Sequence, residues 1–161
     1  MPAGRRLAVG SDHAGFRLKT VLADHLRELG VDVVDVGTHG PERVDYPDYG
    51  AAVGRAVASG EVDGGVCVCG SGIGIAIAAN KVAGVRAATV HDVTSARLAR
   101  EHNDANVICL GERFLGEQVA LDALDAWLAA SFAGGRHADR VAKIGALDTP
   151  VPDPAESSPT G

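Results

Sequence analysis

The sequence predicts an α/β fold, a doubly wound five-stranded parallel sheet with helices on both faces. Short apolar segments alternate along the chain with longer amphipathic ones, and this alternation is typical of a parallel sheet whose strands are joined by helices. Right-handed crossovers place those helices on both faces, which makes a Rossmann-like three-layer sandwich. The length of 161 residues indicates one domain.

The first part of the chain contains two predicted strands and two predicted helices. Residues 5–10 (RRLAVG) are short and apolar, as a buried strand is, whereas 16–29 (FRLKTVLADHLREL) repeats apolar residues at helical spacing. A second strand is predicted at 31–36 (VDVVDV). The segment 37–47 is rich in Gly, Pro and Asp and predicts a loop, and 48–59 predicts a helix.

The middle of the chain repeats the alternation. A third strand is predicted at 64–69 (GGVCVC) and a short helix at 75–81 (IAIAANK). The fourth strand is VRAATV (85–90), and the fifth is VICL (107–110). Between them, 92–102 predicts a helix, because an Asp or Thr stands where an N-cap is needed.

The last part predicts helices at 116–132 and 136–147. We therefore expect one domain over 1–147. The remaining residues, 148–161 (DTPVPDPAESSPTG), are rich in Pro, Ser and acidic residues, and we expect a disordered tail.

Composition excludes several classes of function. A formal net charge of −6 argues against a nucleic-acid partner, and no apolar run approaches the roughly 20 residues that a membrane span needs. An odd number of cysteines, Cys67, Cys69 and Cys109, argues against a disulfide framework. Reduced thiols predict a cytoplasmic protein.

Alternating glycines follow the third strand at Gly70, Gly72 and Gly74. N–H groups at such a turn, beside a helix N-terminus, attract an anion. A dinucleotide fingerprint would need Gly where Ile75 stands, and a P-loop would need Gly before Lys81, so neither motif matches. The alternative is that the glycines only allow a helix to pack closely on the sheet.

Cys69 ends the third strand at this turn, where N–H groups and a helix dipole favour the thiolate. A thiolate of near-neutral pKa is a competent proton acceptor. Cys67, deeper in the strand, is better explained as a core residue. We expect no metal, since there is no C-x-x-C pair and no H-E-x-x-H motif.

Three other polar groups are candidates. Asp12 and His13 follow the first strand, so they belong to the same sheet edge, although a capped turn would also explain them. His102 ends a helix, where a dipole-compensating role is the alternative. Arg136 and Arg140 share a helix face and can clamp a phosphate, although a solvated face would look the same.

Five motifs occur in order: GSDHAGF, VDYPDY, GGVCVCGSGIGIAIAANKVAGVRAA, AREHNDANV and GGRHADRV. With them, residues 6–147 resemble the ribose-5-phosphate isomerase B family, which also contains galactose-6-phosphate isomerase subunits. The resemblance implies an aldose–ketose isomerase that interconverts ribose 5-phosphate and ribulose 5-phosphate without metal or cofactor. The same family acts on other sugar phosphates, including hexose phosphates and erythrulose 4-phosphate. A sugar-phosphate- or nucleotide-binding module without catalysis is the alternative from another class.

The resemblance also implies roles for single residues. Cys69 corresponds to the catalytic base, His102 to the ring-opening histidine, and Ser71 assists at the oxyanion. A glutamate serves as base in another branch, but Ile75 stands at its position here. The residues that match substrate-binding positions are Asp12, His13, Gly70, Ser71, Gly72, Ile73, Gly74, Asn103, Arg136 and Arg140, with Arg113 and His137 as weaker matches.

Topology predicts that the site is shared between chains. Cys69 follows a strand, whereas His102 follows a helix and precedes a strand, so the two belong to opposite sheet edges. A five-residue strand spans roughly 17 Å. If both residues act on one sugar, His102 comes from a partner chain, as the resemblance also implies. We expect a homodimer, with a tetramer as the larger alternative.

Overall fold

The computed structural model describes residues 4–149, and its centre is a five-stranded, all-parallel sheet in the order β2-β1-β3-β5-β4. The strands are β1 (Arg6–Ser11), β2 (Asp32–Asp35), β3 (Gly64–Cys69), β4 (Ala87–Thr89) and β5 (Val107–Gly111). The helices are α1 (Phe16–Glu28), α2 (Tyr46–Ala58), α3 (Ile73–Asn80), α4 (Val93–Asn103), α5 (Glu117–Ala129) and α6 (Arg136–Ala146). The predicted fold class is confirmed.

Four elements have a boundary that differs from the prediction by two residues or more. Helix α2 begins at Tyr46, inside the predicted loop, because Pro47 suits the first turn of a helix. Helix α3 begins at Ile73, directly after the turn. Strand β4 is only Ala87–Thr89, since it lies at the sheet edge and pairs with β5 alone. Helix α5 ends at Ala129.

Two apolar cores flank the sheet. On one face, α1, α4 and α5 pack on leucine and valine side chains of β1, β3 and β5. On the other face, α2 and α3 pack on a core that contains all three cysteines. The large side chains that are fully buried include Leu7, Leu22, Ile108 and Leu124. Helices therefore cover both faces, as the doubly wound pattern predicts.

The chain changes direction between β1 and β3. From β1 it goes outward to β2, and from β2 it returns across the sheet to β3, on the other side of β1. Loops leave the carboxyl ends of β1 and β3 toward opposite faces, and this separation opens a crevice where ligands bind in open α/β sheets. The domain prediction 1–147 covers this whole sheet. Most of the predicted tail, 150–161, lies outside the described residues.

Candidate active site

A cavity of about 500 Å³ lies at the carboxyl ends of β1, β3 and β5. Strand β3 brings Cys69 to it, and the turn after β1 brings Asp12 and His13. Arg113 enters from the segment after β5. The residues that line the cavity are Asp12, His13, Ala14, Tyr46, Cys69, Gly70, Ser71, Ile73, Gly74, Ile77 and Arg113.

Cys69 is the cysteine at this cavity. Its residue is 3% exposed, and the backbone N–H of Gly72 donates to its Sγ across 3.1 Å. Cys67 and Cys109 are fully buried, and a hydrogen bond with Cys67, together with burial, raises the pKa of Cys109 well above its usual value. Those two thiols are therefore core residues.

Backbone contacts from β5 hold the glycine-rich turn. The N–H of Glu112 donates to the carbonyl of Cys69, and the N–H of Arg113 donates to that of Gly70, both across 3.0 Å. Since each end of these bonds is main chain, side-chain substitution leaves the donors in place. The turn after β3 is thus fixed to the end of its neighbouring strand.

Gly72 has a geometry that other residues cannot adopt without strain. Its φ is +74°, and a Cβ on it would lie 2.8 Å from the carbonyl carbon of Leu110. Its own carbonyl accepts a hydrogen bond from Thr89 Oγ1 across 2.8 Å. Gly72 does not line the cavity; it contributes through its N–H to Cys69.

Ser71 and Gly74 complete the turn. Ser71 lines the cavity, and its Oγ accepts a hydrogen bond from the N–H of Ile73 across 3.2 Å. Gly74 belongs to the first turn of α3, where N–H groups lack intrahelical partners. The turn therefore presents a hydroxyl and helix N–H groups beside the thiol, an arrangement suited to an oxyanion.

Backbone groups of neighbouring segments contact the side chains of Asp12 and His13. Asp12 is 6% exposed, and its Oδ1 accepts a hydrogen bond from the N–H of Gly15 across 3.1 Å. His13 Nδ1 lies 3.2 Å from both the backbone N and O of Val44. These contacts also form a capped turn, so the structural explanation and a binding role coexist at this pair.

Tyr46, Ile77 and Ala14 line the cavity and were not predicted. Tyr46 packs so closely on Gly74 that a Cβ there would lie 2.6 Å from its Cζ. The motif VDYPDY contains this tyrosine, but placing it requires a helix that begins at Tyr46. Ile77 follows Ile73 by one turn of α3, and both side chains are more than half exposed.

A second cluster lies where α4 ends and α6 begins. The imidazoles of His102 and His137 stack, with centroids 4.2 Å apart and ring planes 11° apart. Burial lowers the pKa of His137, and the charges of His102, Arg136 and Arg140 lower it further. The positive charge beside the stacked imidazoles comes from Arg136 and Arg140, in a chain whose net charge is negative.

The two groups of residues lie apart within one chain. Helix α4 ends near the amino edge of the sheet, where the N–H of Gly65 donates to the carbonyl of Asn106. From Gly65 to Cys69, β3 rises about 13 Å. His102, Arg136 and Arg140 do not line the Cys69 cavity, and Asn103 lines a different cavity, of about 470 Å³. The structure thus brings together only part of the predicted site.

Two further properties bear on function. Over residues 4–149, no group of three or more His, Cys, Asp and Glu side chains is arranged to hold a metal ion. Within the same residues, no helix combines the length and the apolar character needed to cross a membrane.

The fold and cavity define an α/β protein with its ligand site at the carboxyl edge of a parallel sheet. The model of the Ribose/Galactose Isomerase family matches residues 7–144. The chain belongs to this family.

Individual relatives agree with this assignment. Ribose-5-phosphate isomerase B of Escherichia coli is 51% identical over 144 residues, covering 89% of this chain and 97% of the relative. D-erythrulose-4-phosphate isomerase of Pectobacterium atrosepticum is 43% identical, covering 86% and 92%. The structure of ribose-5-phosphate isomerase B from Clostridium thermocellum superposes with a TM-score of 0.88 at 55% identity, covering 89% of this chain and 97% of that chain.

Proposed function

We propose that this protein is an aldose–ketose isomerase that interconverts ribose 5-phosphate and ribulose 5-phosphate. The observation that carries the proposal is the Cys69 thiol, which receives a hydrogen bond from the glycine-rich turn inside a cavity large enough for a sugar phosphate. The family and the named activity of the E. coli relative support it. The reduced thiols favour a cytoplasmic location.

The chemistry moves one proton between neighbouring carbons. The Cys69 thiolate removes the proton from C2 of the open-chain aldose, and the electron pair moves toward the C1 oxygen to form a cis-enediolate. Within the cis-enediolate a proton passes from the C2 hydroxyl to the C1 oxygen. The thiol then returns its proton to C1, and the negative oxygen on C2 becomes the carbonyl of the ketose. The Ser71 hydroxyl and the N–H groups of the turn stabilise the negative oxygen, and such donors typically contribute on the order of 3 kcal/mol to the transition state.

His102 opens the furanose ring by protonating the ring oxygen. Because His102 lies toward the opposite edge of the sheet from Cys69, we propose that a partner chain supplies it. A twofold homodimer completes two sites, each with Cys69 from one chain and with His102, Asn103 and the arginines from the other. A tetramer would keep this pair as its unit.

The phosphate of the substrate is assigned to Arg136 and Arg140, with Arg113 as a third cation. Arg113 packs over Gly70, where a Cβ would lie 3.2 Å from its Cζ. Two sources of positive charge therefore converge on the cavity, one from the same chain and one from the partner. Asp12 and His13 bind the sugar hydroxyls and ring, and no metal or cofactor takes part.

The test is a panel of four-, five- and six-carbon aldose phosphates with purified protein. We expect ribose 5-phosphate to give the largest kcat/KM. The second candidate is the four-carbon pair of erythrulose 4-phosphate and its aldose, which the 43% identity to the P. atrosepticum relative favours. A preference for that substrate would correct the carbon number but keep the reaction. Binding of these compounds without turnover of any would support a non-catalytic module instead.

Replacing both Arg136 and Arg140 with Ala should separate phosphorylated from unphosphorylated substrates. The two arginines share the exposed face of α6, so their loss removes two forked phosphate donors. We expect kcat/KM for ribose 5-phosphate to fall by at least about 100-fold, because each hydrogen bond to a charged group contributes roughly 1.5–3 kcal/mol. Slow turnover of ribose itself should change little, and an equal fall for both substrates would mean that the arginines act structurally.

A further inference from the structure

Lys19 is a buried lysine that the reaction does not use. It lies on α1, and its residue is only 1% exposed. Lysine is almost never fully buried unless its charge is paired. Here Nζ lies 2.8 and 2.9 Å from the two carboxylate oxygens of Asp35 and 2.6 Å from the carbonyl oxygen of Thr38. The three donors of the ammonium thus match three acceptors.

The acceptors of Lys19 belong to one short segment, the residues 35–38 that follow β2. Asp35 Oδ1 also accepts a hydrogen bond from the N–H of Gly37 across 2.9 Å. Oδ1 therefore accepts from both the lysine and the segment itself, whereas Oδ2 accepts from the lysine. Lys19 fixes both the side chain that shapes this segment and the carbonyl at its far end.

This segment supports the end of β1. The N–H of Thr38 donates to the carbonyl of Ser11, and the N–H of Ser11 donates to the carbonyl of Gly37, both across 2.8 Å. Ser11 directly precedes Asp12 and His13. The chain that continues from Thr38 also reaches His13 again, since Val44 contacts its Nδ1.

We propose that Lys19 is a positioning residue: it anchors segment 35–38, which in turn holds Asp12 and His13 in the geometry that binds the sugar. The inference rests on the proposed function, because it assigns those two residues to substrate binding. Lys19 does not line the cavity, so it acts only through this chain of contacts.

A neutral side chain would fill the space but could not hold the segment. Methionine has the length of lysine without the donors, so Lys19→Met leaves the carbonyl of Thr38 and the carboxylate of Asp35 without their partner. An unpaired buried acceptor is costly, and the segment is expected to shift toward water to satisfy it. Since Ser11 is bonded to this segment on both its N–H and its carbonyl, Asp12 and His13 would shift with it.

The experiment compares the steady-state kinetics of Lys19→Met with those of the wild type. We expect KM for ribose 5-phosphate to rise about tenfold or more, the size of one lost hydrogen bond to a charged group. We expect kcat at saturating substrate to stay within about threefold, because Cys69 and the glycine-rich turn have their own anchors on β5. A merely destabilised enzyme would instead lose active fraction, which lowers kcat and leaves KM unchanged.

Two variants control for stability. Leu26→Ala removes a fully buried side chain of the same helix far from the cavity, so it should lower the melting temperature without changing KM. The double variant Lys19→Met with Asp35→Leu removes both charges and should recover stability. Its KM should remain high, because the carbonyl of Thr38 still lacks its donor and the N–H of Gly37 has now lost the Asp35 carboxylate. If the double variant restores KM, or if KM of Lys19→Met stays within about twofold of the wild type, the proposal is wrong.

A separate measurement distinguishes failure of the isomerase assignment from failure of the positioning role of Lys19. If the wild type turns over no sugar phosphate, the isomerase assignment fails, and the position of His13 is then read from its imidazole NMR signals. Lys19→Met should shift the His13 signals. The signals of His91, which is exposed and far from Lys19 in the sequence, should stay unchanged. In that case, unshifted His13 signals would overturn the positioning role.

Discussion

Cys69→Ala is expected to reduce turnover of ribose 5-phosphate by at least roughly 100-fold, the low end of what a general base contributes. The physical reason is that no other group in the cavity can take its place at the reacting carbon. The other polar side chains of the cavity are held elsewhere: the carboxylate of Asp12 accepts a hydrogen bond from the N–H of Gly15, and Nδ1 of His13 contacts the backbone of Val44. Tyr46 packs on Gly74. The measurement is kcat with purified protein, coupled to detection of the ketose.

The other two cysteines provide the matched controls for this prediction. Cys67→Ala and Cys109→Ala remove a thiol from the same core but leave the cavity unchanged, since both residues are fully buried. Provided that they fold, both variants should keep turnover within a few-fold of the wild type. Near-normal turnover in Cys69→Ala, or an equal loss in all three variants, would remove Cys69 from the mechanism.

Mixing two inactive proteins, Cys69→Ala and His102→Ala, is expected to restore activity when the chains exchange. In a mixed dimer one shared site carries both substitutions and the other carries neither. Random mixing should recover about one quarter of the wild-type activity, because about half of the dimers are mixed and each has one intact site. The measurement is turnover after incubation under conditions that allow exchange.

Exchange itself must be shown in the same sample, for example by mass spectrometry of differently tagged chains. A mixture of Cys69→Ala with Cys69→Ala that carries the second tag serves as the control, and it should remain inactive. If chains exchange and no activity returns, Cys69 and His102 serve the same chain's site. The placement of His102 on a partner would then be wrong.

The sequence alone determined the fold class and which cysteine lies at the glycine-rich turn. Both depend on local patterns: the period of apolar residues sets each strand and helix, and a cysteine before alternating glycines marks the end of a strand. The same logic placed Asp12, His13 and Cys69 at one sheet edge, because residues that directly follow parallel strands share that edge. The structure brings these three into one cavity.

Strand order depended on the tertiary structure. Strand β5 lies between β3 and β4 because it pairs with β3 along one edge and with β4 along the other. The local sequence of β4 does not encode this pairing. The insertion has a consequence for the site, since it places Glu112 and Arg113 beside the glycine-rich turn. Tyr46 likewise enters the cavity only because α2 begins there and Gly74 leaves it room.

The His102 and His137 stack and the burial of Lys19 are decided by contacts between segments far apart in the chain. Helical spacing places Lys19 on a helix, but a charged side chain is stable in the interior only where Asp35 and the Thr38 carbonyl meet it. His102 meets His137 because α6 returns to the end of α4. Local periodicity determines where a residue stands on its own helix or strand, whereas its partners depend on how those elements pack together.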